Sequence, residues 1–145
     1  KLGGLFHVVN DIERIGDHAE NLADSASTRI RENVELSDKA KKQLRDMMKD
    51  VIELFEYSLD MFTNSNQSHM KEILALEDQI DEQERSLQKV HVKRLAKNKC
   101  TPMSGMIFSD TVSGLERVAD HATNIAFAIT EPFDSREEEK IEDEL

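Results

Sequence analysis

Apolar residues recur at steps of three and four positions along nearly the whole 145-residue chain, and this spacing constrains the fold more than any other feature. Such spacing places apolar side chains on one face of an α-helix. No stretch shows a strand pattern that competes with it. The sequence therefore predicts an all-α protein, an antiparallel bundle of four long helices. The helices are expected at residues 2–31, 37–64, 68–97 and 102–131.

The apolar face of each predicted helix is expected to form the core. On the first helix this face contains Leu5, Val8, Ile12, Ile15, Ala19, Leu22 and Ala26. On the second it contains Ala40, Leu44, Met47, Val51, Leu54, Phe55 and Phe62. On the third it contains Ile73, Leu76, Ile80, Leu87, Val90 and Leu95. On the fourth it contains Phe108, Val112, Leu115, Ala119, Ala122, Ala126 and Ile129.

Polar segments and capping residues mark the ends of these helices. Ser37 follows "RENVELS" as an N-cap, because its hydroxyl can accept a hydrogen bond from the first turn. Thr101 and Pro102 are typical of an N-cap followed by proline at the first helical position. Residues 134–145 are strongly acidic with little to bury, so we expect a disordered tail there.

The composition excludes several classes of partner. The formal net charge is −11, which argues against binding to nucleic acid or to an anionic membrane surface. No apolar run approaches the roughly 20 residues of a membrane span, so we expect no direct insertion into a membrane. Cys100 is the only cysteine, which fits a reducing, cytoplasmic compartment.

One phrase occurs twice, as "ERIGDHAENLA" at 13–23 and "ERVADHATNIA" at 116–126, with an offset of 116 − 13 = 103 residues. On a helix, a Glu and an Asp four positions apart lie on the same face and repel each other. A cation relieves this repulsion, and carboxylate oxygens suit magnesium, manganese or iron. The same spacing of a Glu and an Asp, four positions apart, recurs in "EDQID" on the third helix. The predicted metal ligands are Glu13, Asp17, Glu77, Asp81, Glu116 and Asp120.

Further polar residues continue these stripes or lie beside them. Amide and carboxylate groups one turn away could add ligands, and each histidine follows an Asp but lies about 100° around the helix from it. The additional or supporting candidates are Asn10, Asn21, Glu84, Asn124, His18 and His121.

Three other interpretations compete with a non-catalytic metal site at these stripes. Most acidic stripes are simply solvated, with Arg14 and Arg117 available for ordinary salt bridges. A metal-free helical scaffold would retain the same apolar faces. A di-iron carboxylate enzyme would need Glu-x-x-His, and no Glu in the chain has a His three positions later. We therefore expect no enzymatic activity.

The doubled phrase, with its Glu, Arg, Asp-His-Ala and Asn at fixed positions, resembles the signature of the PhoU family. That resemblance implies three-helix repeats in which an acidic motif on the last helix of a repeat binds metal ions, with iron, zinc, manganese and magnesium as the candidates. Residues 1–133 would then comprise the last helix of one repeat and a complete second repeat. In the second repeat, Glu77 and Asp81 would face Glu116 and Asp120, whereas Glu13 and Asp17 would lack their partner motif and form half a site.

The stretch "FHVVNDIERIGDHAENLA" is most similar to the PhoU-like cytoplasmic region of bacterial sodium/phosphate cotransporter family proteins. This similarity implies a non-catalytic, metal-binding regulatory domain at the inner face of the cell membrane. Its partner would be the membrane transporter domain of the same chain, and the start at Lys1 fits such an excised piece. A trimmed, free-standing PhoU-type regulator with a phosphate-signalling partner is the alternative. An uncovered apolar face on the first helix would favour a homodimer.

Overall fold

The structure, a computed structural model, describes residues 2–130 of the chain. It confirms the predicted all-α bundle of four long helices, and no strand occurs within those residues. The helices are α1 (Leu2–Arg31), α2 (Asp38–Asn64), α3 (Met70–Ala96) and α4 (Pro102–Thr130). Residue 131, the predicted end of the fourth helix, and the predicted tail at 134–145 lie outside the described residues.

Two hydroxyl side chains begin α2 and α4 as the sequence predicts. The Ser37 Oγ accepts a hydrogen bond from the Ala40 N–H at 3.1 Å, and the Thr101 Oγ1 accepts one from the Ser104 N–H at 3.1 Å. Each bond satisfies an N–H that has no partner within its helix. The third helix begins two residues later than expected. The Asn66 side chain accepts hydrogen bonds from both the N–H and the hydroxyl of Ser68, which holds that residue in a turn.

Three helices end in the same way, with a non-glycine residue in the left-handed region. Asn33, Ser65 and Asn98 have φ values of 52°, 50° and 52° and follow α1, α2 and α3, respectively. In each case the next residue donates its N–H to a carbonyl five positions back, as Val34 does to Arg29 at 2.9 Å. This Schellman pattern satisfies carbonyl groups at the helix end and turns the chain sharply.

The main core lies between α2, α3 and α4, each of which packs against the other two. Consecutive helices run antiparallel because short connections join them. The buried apolar residues of this core are Ala40, Met47, Val51, Leu54, Met61, Ile73, Ile80, Leu87, Phe108, Val112, Leu115, Ala119, Ala122 and Ala126. Most were predicted from the spacing, but Leu95 on α3 is 37% exposed, which corrects its assignment to the core.

The fourth helix is central, because it contacts each of the other three, whereas α1 contacts α4 and neither α2 nor α3. Small residues permit this close packing. A Cβ at Gly114 would lie 3.1 Å from Leu22 Cδ2 on α1, so glycine allows the two helices to approach. The contacts of Leu22 with Gly114 and of Asp11 with Asn124 show that α1 and α4 are antiparallel.

The predicted apolar face of α1 is only partly correct. Val8, Ile15 and Leu22, seven residues apart, lie on the side that is buried or half-buried, whereas Leu5, Ile12, Ala19 and Ala26 are exposed. The physical reason is that α1 has a single neighbouring helix, which covers only one edge of a wide apolar arc. The exposed residues define a surface that we name the α1 outer face. It consists of Leu5, Val9, Ile12, Gly16, Ala19, Ala23, Ala26 and Ile30.

Within residues 2–130, none of the helices combines the length and the apolar character that crossing a bilayer requires.

Candidate metal site

Three carboxylates from α3 and α4 converge at the edge of the core. One side-chain oxygen from each of Asp81, Glu116 and Asp120 lies within 4.8 Å of the other two, and all three residues are half-buried. Within the part of the chain that the structure describes, this is the only group of three acidic, histidine or cysteine side chains so arranged. We name these three residues, together with Glu77, the α3–α4 acidic site.

Core packing positions these side chains on the two helices. Ile80 precedes Asp81 and is fully buried, and Ala119 precedes Asp120 and is buried as well. A residue next to a buried position lies about 100° around the helix, which places its side chain at the boundary between core and solvent. The packing of α3 against α4 then brings the two boundaries together.

The electrostatics of the site show that carboxylates are crowded there. The pKa of Glu116 is raised to about 8, first by burial and then by a hydrogen bond and charge repulsion with Asp120, with further repulsion from Glu84 and Asp81. The neutral form of Glu116 is therefore favoured at neutral pH when no cation is bound. Glu84, predicted as an additional ligand, is half-buried and acts on the site through its charge.

The pKa values of two carboxyl groups on α3 are raised as well. Burial raises the pKa of Glu77 to about 7, repulsion from Asp120 and Asp81 adds to the shift, and a hydrogen bond with Thr123 opposes it. Burial and Asp120 also raise the pKa of Asp81, with the positive charge of Arg85 acting against them. Thr123, which is only 1% exposed, was not predicted as part of the site. Its position seven residues after Glu116, on the same side of α4, is the signal that could have identified it.

The α1 copy of the phrase does not join this group. Glu13, Asp17, Asn10 and Asn21 are all exposed. Because α1 packs on α4 through Val8 and its heptad neighbours, the acidic stripe of this copy faces solvent. Glu13 and Asp17 therefore stay predicted ligands that the structure does not bring together with a third carboxylate among the described residues.

The two histidines of the repeated phrase meet each other where α1 packs on α4. The rings of His18 and His121 stack with centroids 5.5 Å apart and an interplanar angle of 15°. Burial, followed by His121 and Arg117, lowers the pKa of His18. The two histidines occupy equivalent positions of the two copies, since 18 + 103 = 121.

Asp11 completes this interface and was missed from the sequence. Its Oδ1 lies 3.0 Å from His121 Nδ1 and accepts a hydrogen bond from Asn124 Nδ2 at 3.5 Å. Asp11 lies three residues after Val8 and four before Ile15, so the heptad spacing could have placed it on the buried side of α1. Asn124, an additional candidate, is exposed and is directed towards Asp11 rather than towards a cation site.

The α3–α4 acidic site suits a hard or borderline divalent cation chemically. Carboxylate oxygens are the ligands that magnesium and manganese prefer, and iron also accepts them. A bound cation would replace the protons that Glu77 and Glu116 otherwise retain, so the repulsion that raises their pKa values would become attraction to the ion.

A comparison with known proteins finds one relative whose name refers to a phosphate transport system. The chain is 26% identical over 116 residues to this relative, "Phosphate-specific transport system accessory protein PhoU homolog 1" of Thermotoga maritima. The alignment covers 80% of this chain and 49% of the relative, so the chain spans about half the length of the curated relative it matches. No solved structure matches the chain.

The family match covers the part of the chain that contains the α3–α4 acidic site. Residues 44–129 match the PhoU domain, which is more than half of the chain. That range includes all four carboxylates of the site, whereas Glu13 and Asp17 lie before it. The chain belongs to the PhoU domain family.

Proposed function

We propose that this chain is a non-catalytic, metal-binding regulatory domain associated with phosphate uptake. The convergence of Asp81, Glu116 and Asp120 within 4.8 Å is the observation that carries the metal-binding part. The association with phosphate uptake rests on family membership and on the printed name of the matched relative.

The proposed mechanism is a coupling between cation binding and helix packing. Without a cation, α3 and α4 carry mutually repelling carboxyl groups at their shared edge. A cation bridging Asp81 with Glu116 and Asp120 would hold the two helices together and fix the surface that they present. A transporter or signalling partner that recognises this surface would then respond to the cation. Iron, zinc, manganese and magnesium remain the candidate ions.

We propose that the domain is the cytoplasmic part of a sodium/phosphate cotransporter at the inner face of the membrane. The transporter domain of the same chain would be its partner. The alternative is a fragment of a free-standing PhoU-type regulator that acts on a phosphate-signalling protein, and the name of the matched relative favours it. Sequencing the coding DNA upstream of Lys1 distinguishes the two. Membrane-spanning segments in the same reading frame support the first context, and a further soluble helical repeat supports the second.

The metal site is tested by comparing the two copies of the phrase in matched variants. Protein purified without chelator or metal-affinity resin is subjected to elemental analysis and to thermal unfolding with and without added Mn²⁺. The wild-type chain should bind the ion and gain about 2.7 kcal/mol of stability at a hundredfold excess over the dissociation constant. Glu116→Gln with Asp120→Asn should lose both the ion and the gain while keeping its helical content.

The matched control is Glu13→Gln with Asp17→Asn, which removes the same charges from the exposed copy. We expect this variant to keep the bound ion and the Mn²⁺-dependent gain in stability. Loss of the ion from the α1 variant but not from the α4 variant would show that the ion binds at the α1 copy, which contradicts the site proposed here. A wild-type chain that takes up no cation and gains no stability would refute metal binding altogether.

We also propose that the isolated chain forms a homodimer through the α1 outer face. This face presents apolar and small residues at alternating steps of four and three, the spacing of a helix-pairing seam, and Ile12 at its middle is 53% exposed. Light scattering should show a mass that rises towards the dimer with concentration. Ile12→Asp should abolish this rise, and a wild-type chain that stays monomeric at high concentration would refute the dimer.

A further inference from the structure

A second feature of the bundle lies near the N-terminus of α4, whereas the metal-site residues of α4 lie in the middle of that helix. A cleft of about 610 Å³ opens between the N-terminus of α2, the C-terminal part of α3 and the N-terminus of α4. Ser104 in this cleft and Glu116 are 12 residues apart on α4, which corresponds to about 18 Å along the helix. The cleft is therefore separate from the carboxylates that would hold a cation.

The lining of the cleft is cationic in a chain whose net charge is −11. Among residues 2–130, five lysine and arginine side chains line it, against Glu35 as the one lining carboxylate. The five are Lys39, Lys93, Arg94, Lys97 and Lys99. None of the four lysines forms an ion pair with any residue between 2 and 130, whereas Lys41 and Lys42 nearby do. The cleft thus concentrates positive charge that the protein itself does not neutralise.

Arg94 supplies an independent indication of a ligand. Its Nη2 donates to Gln43 Oε1 at 2.8 Å, and its guanidinium lies 5.2 Å from the centroid of the Phe108 ring. Its Nη1 is buried and has no hydrogen-bond partner among the described residues. A buried guanidinium N–H without an acceptor is unfavourable, so a small movement of the Arg94 side chain towards an acceptor in the cleft would relieve a cost already present in the fold.

Part of the cleft wall is apolar. Phe108, Val90 and Leu36 line the cleft together with Gly105. A Cβ at Gly105 would lie 2.8 Å from His91 Cε1, so a larger residue there would displace the imidazole at the cleft wall. A ligand that matches this lining carries both an anionic group and an apolar or aromatic body.

We propose that this cleft binds a small phosphorylated molecule with a ring-bearing body of about nucleotide size. Its volume lies within the range of small-molecule sites. The lysines and Arg94 would hold the phosphate, for which guanidinium and ammonium groups are the usual protein ligands. The N-termini of α2 and α4 at the cleft, where the helix dipoles are positive, favour the same charge. The body of the ligand would lie against the half-buried Val90 and Leu36. The proposal does not depend on the metal site.

Isothermal titration calorimetry with adenosine monophosphate tests the proposal. The protein is freed of metal on a chelating resin, so that no cation at the α3–α4 acidic site can bind phosphate. We expect one molecule to bind per chain. Inorganic phosphate should bind at least about tenfold more weakly, because it buries no apolar surface. Adenosine should also bind at least about tenfold more weakly, because it lacks the charged group.

Two variants with the same change in charge locate the binding. Lys93→Gln with Lys97→Gln removes two exposed cations of the cleft and should weaken binding of adenosine monophosphate about tenfold or more. Lys49→Gln with Lys71→Gln removes two exposed cations elsewhere and should change it by less than about twofold. Circular dichroism confirms that both variants are folded.

Three results would overturn the proposal. The first is no binding of adenosine monophosphate at millimolar concentration. The second is an equal loss of affinity in the two variants, which would indicate only general attraction to positive charge. The third is equal affinity for inorganic phosphate and adenosine monophosphate, which would leave the apolar wall without a role.

Discussion

The two copies of the repeated phrase share their letters but differ in their surroundings, and that difference determines what each can do. In α4, Ala126 is fully buried and Glu116 is half-buried. In α1, the corresponding Ala23 and Glu13 are exposed. The phrase therefore specifies a helix with an acidic stripe beside a small-residue stripe. Whether the acidic stripe becomes a metal site depends on a neighbouring helix that brings further carboxylates to it.

Neighbouring helices explain the difference. The α4 copy lies between α1, α2 and α3, and α3 contributes Glu77 and Asp81. The α1 copy has α4 as its one neighbour within residues 2–130, and the two meet through His18, His121 and Asp11. The side of α1 that would face an equivalent of α3 is part of the exposed surface.

The largest expected effect comes from placing the same charge at corresponding positions of the two copies. Ala126→Asp buries a carboxylate without a partner in the core, which should destabilise the protein by about 3 kcal/mol or more. At low concentration, where the chain is monomeric, Ala23→Asp places the same group on an exposed face and should cost about 0.5 kcal/mol, mainly through lower helix propensity. Urea unfolding of both variants measures the difference. Equal costs would contradict the assignment of α1 to the edge of the bundle.

The pH dependence of the metal-free protein should be the next largest effect. Glu116, with a pKa of about 8, and Glu77, with a pKa of about 7, retain protons in the folded state that the unfolded chain releases near its ordinary value of 4.5. Their contribution to stability is therefore complete below about pH 4.5 and is lost as pH rises towards 8. For Glu116 we expect the free energy of unfolding to fall by about 2 kcal/mol over this range, after allowing for screening by solvent.

The two copies again provide the control for this prediction. Urea unfolding of metal-free protein at several pH values compares wild type with Glu116→Gln and with Glu13→Gln. The first variant cannot lose a proton at that position, so its stability should fall less steeply between pH 4.5 and 8. The second should fall as steeply as wild type. A Glu116→Gln slope identical to that of wild type would show that Glu116 is not crowded by the other carboxylates.

A smaller effect is expected where the copies meet. Asp11→Ala removes the acceptor that lies 3.0 Å from His121 Nδ1 and also bonds Asn124. Leaving the half-buried His121 without this acceptor should cost about 1 kcal/mol. The stacked His18 and His121 should also become more mobile, which imidazole line widths in NMR spectra can measure. The matched Asp24→Ala, at an exposed position of α1, should leave those lines unchanged.

The sequence predicted the elements of the fold better than the contacts between them. Caps at Ser37 and Thr101 are local chemistry, and the core spacing of α2 and α4 needs no knowledge of neighbours. The outward position of Ile12 could not be predicted, because periodicity identifies an apolar arc without showing how much of it a partner covers. The cationic cleft was missed for a related reason, since Lys39 and Lys97 come from distant segments.

For the carboxylates too, the sequence predicted positions within one helix but not the packing between helices. The spacing within "EDQID" and within each phrase placed Glu77 with Asp81 and Glu116 with Asp120 on single helix faces. The resemblance, rather than the spacing, paired the two helices. The interaction of Thr123 with Glu77 and the burial that raises the pKa of Glu116 depend on how α3 packs on α4, and no single-helix pattern contains that information.

The smallest effect is expected from a substitution that makes the two copies more alike. The α4 phrase has Ala119 where the α1 phrase has Gly16, and a Cβ at Gly16 would meet no atom within 4 Å. Gly16→Ala should therefore stabilise the monomeric chain by about 0.5 kcal/mol, because alanine loses less backbone entropy on entering a helix. Thermal unfolding at low concentration measures this gain. At high concentration the same methyl group lies on the α1 outer face, where a pairing helix would approach closely. A gain that disappears as the chain associates would show that Gly16 serves the contact between copies, and a constant gain would show that this part of α1 stays open to solvent.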